Sequence, residues 1–495
     1  MIATFGAKKM RSIRLLAFLL LATFATAQQF DVVIEGGRVM DPETGLDAVR
    51  NVGIRDGEIA RISSDPLSGK RTIQASGLVV AAGFIDLHQH GQELASQRVK
   101  AFDGVTSALE MEIGVADVSK FLQAKEGHSL IHYGTTASHV AARSLVFGAP
   151  LTAEGPTAHA GISGILPTSG PATDKPATPD QINRIEQRLR DEIDSGALGV
   201  GMGIQYTPGA TRLEVIDMFR VAAERKLPVY THIRSFGRIE PGSAIEAIEE
   251  VIGAAAISGA PLHIVHINST CLRETMECLS MVEGARARGL DVTTEAYPYI
   301  AGMTQLNSAL FNPGWREKLA IEYGSLVLPN TGEHLTKERF EELHQSSEAQ
   351  DVLIFANTQE MVDATIPNPL ILIASDGADG HPRNAGTYSR VLAQYVREKK
   401  TLTLMDALRK MSLMPAQMLE RSTPDAHRKG RLQEGADADI VVFDPQTITD
   451  RATFEKPMEP SVGVRDLIVA GTPVIDGGKL VPDVYPGRAI VGKKR

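Results

Sequence analysis

Gly83-Phe-Ile-Asp-Leu-His88-Gln-His90 ends an apolar run with two imidazoles one residue apart. Residues i and i+2 of a strand point to the same side, so both rings aim at one place. Imidazole is a common ligand for zinc and similar ions. A lone His-x-His more often marks two loop histidines. Here four further apolar runs end in a candidate ligand: Glu110 with Glu112, His232, His266 and Asp376. Asp86 is expected on the histidines' face, one pair of residues deeper.

Working outward, apolar segments alternate with helical patterns through the middle of the chain. Strands are predicted at 83–88, 105–112, 130–139, 197–204, 227–232, 261–267, 291–297 and 369–376. The clearest helix is predicted over 180–194, with Thr178 as cap, Pro179 in the first turn and Gly196 after the end. Others fall near 243–255, 272–288 and 404–419. Eight strands with intervening helices fit an α/β fold, the (β/α)8 TIM barrel, whose active site lies at the C-terminal strand ends. The run 303–366 is too long for a simple loop and reads as an insertion over the site. Residues 28–80 and 430–495 are rich in short strands and turn signals such as Asp56-Gly57. They predict a small β-domain built from both termini around a barrel of 81–429.

The bulk properties bound the function. The 495 residues hold one large catalytic domain and a smaller one. Hydrophobic content of 43% and charged content of 22% are globular. A net charge of -9 argues against a nucleic-acid partner, which normally calls for a basic face. The two cysteines, Cys271 and Cys278, stand about two turns apart on a predicted helix, beyond disulfide reach. Cysteine-based zinc sites and a disulfide framework are therefore excluded. Near the start, Lys8, Lys9, Arg11 and Arg14 precede the apolar run from Leu15, and Ala25-Thr-Ala27 follows. This pattern is read as a secretory signal over 1–27, with Met10 as an alternative start. Its apolar core is too short for a membrane span. The mature protein is expected to be soluble, secreted or periplasmic, free of the membrane, and to act on a small molecule.

Within the candidate site, Glu112 lies nearer the rim of its strand than Glu110 and is preferred as a ligand. Glu110 is the alternative, or a group supporting the ligand. An ion pair with Arg143 or Arg234 is the competing structural role. His263 and His266, three apart, fall on opposite faces of a regular strand, so only one can face the interior. His266, at the rim, is chosen; His263 is expected to pack outward against a helix. Asp376 follows an apolar strand and precedes Gly377. Its natural work beside a metal is that of a general base, with ligation also possible. His139 ends the third strand, at the expected pocket, and His381 is expected to shape the loop after the last strand.

These residues together resemble the amidohydrolase superfamily, and within it the N-acyl-D-amino-acid deacylase (D-aminoacylase) family. The resembling segments include Gly83–His90, Gly196-Ala-Leu-Gly-Val-Gly-Met-Gly-Ile-Gln-Tyr-Thr-Pro-Gly209, Thr231-His-Ile-Arg-Ser, Ala296-Tyr-Pro-Tyr-Ile-Ala-Gly302, Ser375-Asp-Gly with His381-Pro-Arg, and Gly435-Ala-Asp-Ala-Asp-Ile-Val-Val-Phe-Asp-Pro. The resemblance implies a barrel with a terminal β-sandwich and zinc-dependent hydrolysis of N-acyl-D-amino acids, with one tight ion and room for a second. It implies metal ligation by His88, His90, His232 and His266. The strand-two cysteine of the family is absent, so Glu112 or Glu110 must substitute. No lysine stands on strand four, which argues against the carbamylated-lysine bridge of hydantoinase-like relatives. Arg383 and Tyr297 resemble the family's clamp on the substrate carboxylate; Arg234 and His139 are further candidate substrate contacts. Asn268 stands where family members often carry a substrate-binding lysine. A metallo-dipeptidase or a cyclic-amide hydrolase on the same scaffold is the nearest alternative, and a non-catalytic binding protein a more distant one.

The export signal has a direct check. Mass spectrometry of protein from the medium or periplasm is expected to show Gln28, or its cyclised form, as the first residue. A retained Met1 or Met10 in that fraction would sink the assignment.

Overall fold

Asp56 and Gly57 both take positive φ, 54° and 81°. That pairing suits a two-residue hairpin turn, because its twist matches that of the flanking strands. It joins two strands of the terminal sheet in this computed structural model, which describes residues 1, 29–149, 170–329, 331–346 and 348–493. The expected signal segment lies outside them apart from Met1. Strand β1 (Phe30–Asp41) pairs antiparallel with β2 (Leu46–Arg55), which the turn connects to β3 (Glu58–Ser63). Strands β4 (Gly69–Gln74) and β5 (Val79–Ala82) run parallel to β1.

Eight parallel strands follow as the barrel: β6 (Phe84–Asp86), β7 (Val105–Val115), β8 (His132–Ser138), β9 (Val200–Gly203), β10 (Val229–His232), β11 (Leu262–Ile264), β12 (Val292–Ala296) and, after the insertion, Ile371–Ile373. Between these last two strands the insertion folds its own sheet from β13 (Gly302–Gln305), β14 (Leu326–Val327) and β15 (Asp351–Ile354). Ile371–Ile373 is thus β16. The backbones of the first and last barrel segments join at the rim, where the His90 N–H donates to the Gly377 carbonyl at 2.8 Å and the Gly377 N–H to the His88 carbonyl at 3.2 Å. The helix Pro179–Asp194 opens with a full capping box between Thr178 and Gln181, satisfying two otherwise unpaired backbone donors.

The C-terminal strands return to the first domain. β17 (Ile440–Phe443) pairs with β5 and is followed by β18 (Val464–Val469), β19 (Thr472–Asp476) and β20 (Lys479–Leu480). The resulting nine-stranded sheet wraps one core that includes Ile34, Val52, Ile59, Val80, Ile440 and Ile468. Ile59 closes it by bonding the backbone ahead of β17, at Ala436 and Gly435. The last residues then cross the barrel floor: Gly487 bonds Ser129, Ile490 bonds Tyr133 and Gly492 bonds Gly196. Ile490 joins Leu87, Leu109, Met111, Tyr230 and Leu372 in the barrel interior. Burying each such aliphatic side chain contributes roughly 1.5–3 kcal/mol, so the interior is a packed plug and the open end is the rim. Among the described residues no helix is long and apolar enough to cross a membrane.

Two expectations need correction here. Asp86 does not share the histidines' face: it takes Lys100 Nζ at 2.7 Å and Ser375 Oγ at 2.5 Å, while Phe84 stacks on Tyr388 on the same helix-facing side. Strand β6 ends at Asp86, and the alternation ends with it. The cysteines do not ride one continuous helix either. The chain turns at Leu272, φ 52°, between Ile267–Cys271 and Thr275–Ala287. The two buried free thiols thereby come close enough to interact.

Strand β7 carries the departure that matters most for the rim. Its register against β8 runs from Glu110–Thr135 to Val115–Ala137, so five steps on one strand match two on the other. The surplus bulges toward the barrel axis and carries Glu112 with it. Gly114 supplies a φ of 70° there. Gly201 on β9 makes room: a Cβ at that position would lie 2.4 Å from Thr136 Oγ1 and 2.6 Å from the Glu112 carbonyl oxygen. Gly201→Ala is therefore expected to destabilise the protein by about 1–3 kcal/mol and to lower its metal content. Gly253→Ala, in open space within the helix Ala244–Ser258, is expected to be neutral or to stabilise by about 0.5–1 kcal/mol. Thermal melts with metal analysis decide; equal behaviour of the two variants would discredit the role given to the bulge.

Candidate metal centre

Five strand ends deliver side chains to one point. His88 and His90 follow β6, Glu112 comes from the β7 bulge, His232 closes β10, His266 follows β11 and Asp376 follows β16. Glu112 stands between two sets of donors. Its Oε2 lies 3.2 Å from His88 Nε2 and 3.1 Å from His90 Nε2. Its Oε1 lies 2.7 Å from His232 Nδ1 and 3.0 Å from His266 Nε2. Asp376 Oδ1 lies 3.3 Å and 3.2 Å from the same two Nε2 atoms of His88 and His90. The set His88, His90, Glu112, Asp376 and the set Glu112, His232, His266 each bring one donor atom per residue to within 4.8 Å of the others. All six residues are buried.

The chemistry of these two donor sets, which share Glu112, fits divalent cations, and these residues would hold them. His88 Nε2 and His90 Nε2 are only 3.2 Å apart, and both face carboxylate oxygens. Buried carboxylates need a compensating positive charge. Burial alone would depress both imidazoles. The carboxylates of Asp376, Glu112 and Glu295 nonetheless push His88 up to about 10. Glu110, Asp376 and Glu112 raise His90 well above its usual value. The site thus demands positive charge, which metal ions would supply. The other nitrogens of the first pair are already fixed: Glu110 Oε2 holds His90 Nδ1 at 2.7 Å and Glu295 Oε1 holds His88 Nδ1 at 2.6 Å. A carboxylate on Nδ1 leaves Nε2 as the lone-pair donor, the usual way a metal-binding histidine is oriented.

His266 overturns the expectation for His263. The regular strand stops at Ile264, and His266 takes φ 30° and ψ 52°. That left-handed step cancels the alternation, so both imidazoles turn to the barrel interior. His263 does not pack outward. Its Nε2 lies 3.0 Å from Glu295 Oε2 and its Nδ1 2.8 Å from Thr293 Oγ1.

Asp376 also sits in the left-handed region, φ 51°. Burial would raise its carboxyl, but Arg383 and His88 hold it well below the usual carboxylate range. Arg383 Nη1 is 2.9 Å from Asp376 Oδ2, and its guanidinium lies over the Tyr297 ring at 4.7 Å. Arg383 Nε and Nη2 and the Tyr297 hydroxyl are buried without hydrogen-bond partners. A cleft opens above the cluster. Asp376, His232, His266, Tyr206 and Tyr297 line its floor, and Met303, Leu310, Leu319 and Ile354 of the insertion form its roof.

Other expected contacts lie elsewhere. His139 is fully buried and bonds Glu214 at 3.0 Å, which also takes Arg143 at 2.6 Å. That triad ties helices together outside the cleft and occupies Arg143. Arg234 forms a two-pronged pair with Glu250 at 2.8 and 2.7 Å and lines a neighbouring pocket beyond Phe236 and Leu310. Neither arginine therefore pairs with Glu110 or Glu112. Asn268 is buried and donates to the Tyr297 carbonyl at 3.0 Å, so it positions the tyrosine rather than facing the cleft. His381 accepts the Arg383 N–H at 3.0 Å and anchors the last loop. Glu295 escaped the sequence reading; a lone carboxylate inside the buried strand Thr293-Thr-Glu-Ala was its only signal.

A parallel barrel with histidines and carboxylates gathered at its C-terminal rim defines the class of metal-dependent hydrolases. The chain belongs to the amidohydrolase superfamily, in its N-acyl-D-amino-acid deacylase (D-aminoacylase) family. Residues 266–475 match the family described as "Amidohydrolase family". The chain is 30% identical to the N-acyl-D-glutamate deacylase of Alcaligenes xylosoxydans xylosoxydans, over 94% of this chain and 97% of that protein. It is 28% identical to the D-aminoacylase of the same organism, over 90% and 95% of the two chains. The crystal structure of N-acyl-D-glutamate deacylase from Bordetella bronchiseptica, complexed with zinc and a phosphonate inhibitor, superposes with a TM-score of 0.77 at 24% identity, covering 94% of this chain and 100% of that one.

The two carboxylates of β7 make different predictions. Glu112→Gln is expected to lose metal from both sets, because both share that side chain. Glu110→Gln is expected to weaken only the set containing His90, by about 10–100-fold, as for loss of a supporting carboxylate. Metal content after dialysis against graded chelator measures both; equal loss in the two variants would defeat the distinction.

Proposed function

We propose that this protein is a zinc-dependent hydrolase that cleaves the amide bond of N-acyl-D-amino acids to a carboxylate and a free amino acid. The observation that carries the reading is the shared Glu112 between two donor sets, with Asp376 beside them on the floor of the cleft. In this reading His88, His90, Glu112, His232 and His266 would hold the metal, and Asp376 belongs to the donor set of His88 and His90. When bound, zinc supplies Lewis-acid polarisation of a carbonyl and lowers the pKa of a bound water to about 7.

The chain's own groups do the rest. Asp376, kept ionised by Arg383 and His88, accepts the proton of the attacking water at its carboxylate and passes it to the leaving nitrogen. The oxygen joins the acyl carbon as the C–N bond breaks, so the proton ends on the released amine. The Tyr297 hydroxyl and the free Arg383 donors suit the substrate's own carboxylate, since guanidinium and phenol can bind its two oxygens. The insertion roofs the cleft and limits water around the reacting groups. The relatives' names, N-acyl-D-glutamate deacylase and D-aminoacylase, support the D-configured N-acyl class. A location outside the cytoplasm is part of the proposal and rests on the basic, apolar and small-residue pattern of 1–27.

Purified mature enzyme loaded with zinc is expected to hydrolyse N-acetyl-D-amino acids in preference to their L epimers, dipeptides and cyclic amides. Turnover confined to dipeptides or ring amides would replace the proposed substrate class. Asp376→Asn is expected to fold and retain zinc at Glu112, His232 and His266 but to lose at least ~100-fold in kcat. Near-normal kcat in a zinc-replete variant would remove Asp376 from proton transfer.

A further inference from the structure

Below the metal cluster, the barrel interior holds a chain of polar side chains that the proposed chemistry does not use. Thr293 Oγ1 meets His263 Nδ1 at 2.8 Å, His263 Nε2 meets Glu295 Oε2 at 3.0 Å, and Glu295 Oε1 meets His88 Nδ1 at 2.6 Å. Glu295 is 1% exposed and His263 fully buried. Glu295 Oε1 also accepts the backbone N–H of His266 at 3.4 Å. Stability alone explains this poorly, because replacing buried ionic groups by packed apolar ones is often neutral or favourable. Each end of the carboxylate has a defined task instead. One oxygen takes the Nδ1 proton of His88 and leaves Nε2 aimed at Glu112 and Asp376. The other is held by His263, which is itself held by Thr293, so the carboxylate cannot rotate away.

We infer that Glu295 is a positioning residue for one of the two metal positions. It orients the His88 ring through its side chain, and His263 acts only by orienting Glu295. The inference rests on the metal reading proposed above. It makes the two positions separable: the set containing His88 depends on the Glu295 ring contact, whereas His232 and His266 receive their side-chain contact from Glu112. The single link from Glu295 to His266 runs through a long backbone bond.

The test is zinc occupancy at each position, read from anomalous scattering in crystals of the full mature chain equilibrated at graded free zinc. Glu295→Gln keeps the shape of the side chain but loses its charge. It is expected to weaken zinc at the His88, His90 and Asp376 position by about 10–100-fold, leaving the His232 and His266 position unchanged. His263→Gln is expected to weaken the same position by less, and the double variant to resemble Glu295→Gln alone, since the two act in series. The cobalt-substituted enzyme should show an altered visible spectrum for the same position. Equal loss at both positions, unchanged occupancy at the first, or additive effects of the two substitutions would overturn the inference. Wild-type crystals with zinc at neither position would overturn the metal reading as well.

Discussion

One carboxylate, held away from water among four imidazoles, organises the rim of this barrel. Glu112 has both oxygens committed, one to each pair of histidines. An ionised group at that depth is tolerated only where its charge is matched, so every neighbour must be in place together. The β7 bulge brings Glu112 inward, Gly201 clears its backbone, and the left-handed step at His266 turns the last imidazole toward it. The closure of the barrel is part of the same arrangement: among the described residues, the backbone bonds joining the ends of the first and last strands run through His88, His90, Gly91 and Gly377. Sheet closure and donor placement are one set of hydrogen bonds.

That coupling explains what could be read from the chain beforehand. Eight barrel strands and the capped helix were legible because apolar period, cap and turn are local signals. The order of donors was legible because each ends an apolar run. The departures share one cause: the rim is where strand regularity stops. Strict alternation assigned His263 outward and Asp86 inward, and both assignments failed because His266 and His88, from which they were counted, lie beyond the end of the pleat. Glu295 was missed for the opposite reason, since it lies within a regular strand and shows its partners only once three strands are side by side. The two cysteines came together because Leu272 breaks what reads as one helix.

Asp376 and Arg383 illustrate a second feature of the rim, competition for a partner. The guanidinium is fully buried and pairs with the carboxylate to which proton transfer is assigned. Two of its nitrogens remain without an acceptor. A ligand carboxylate reaching those donors would draw on the same charge that keeps Asp376 ionised. Substrate binding and the basicity of Asp376 are therefore linked through one side chain, as adjoining charged groups must be.

The sheet assembled from both ends of the chain bears on synthesis. The Ile62 N–H donates to the carboxylate of Glu434, a residue 372 positions later. At a ribosomal rate of roughly 5–20 residues per second, the early strands wait on the order of 20–70 s for their partners. Through that interval the apolar faces of β1 to β5 and their unpaired edges stay available to other chains, which is the circumstance that favours aggregation and chaperone capture. The barrel in turn receives its floor only when Gly487 to Gly492 emerge. A truncation of a few residues at the far end would thus be felt by a nascent chain as an unfinished core, long after the metal-binding rim had been synthesised.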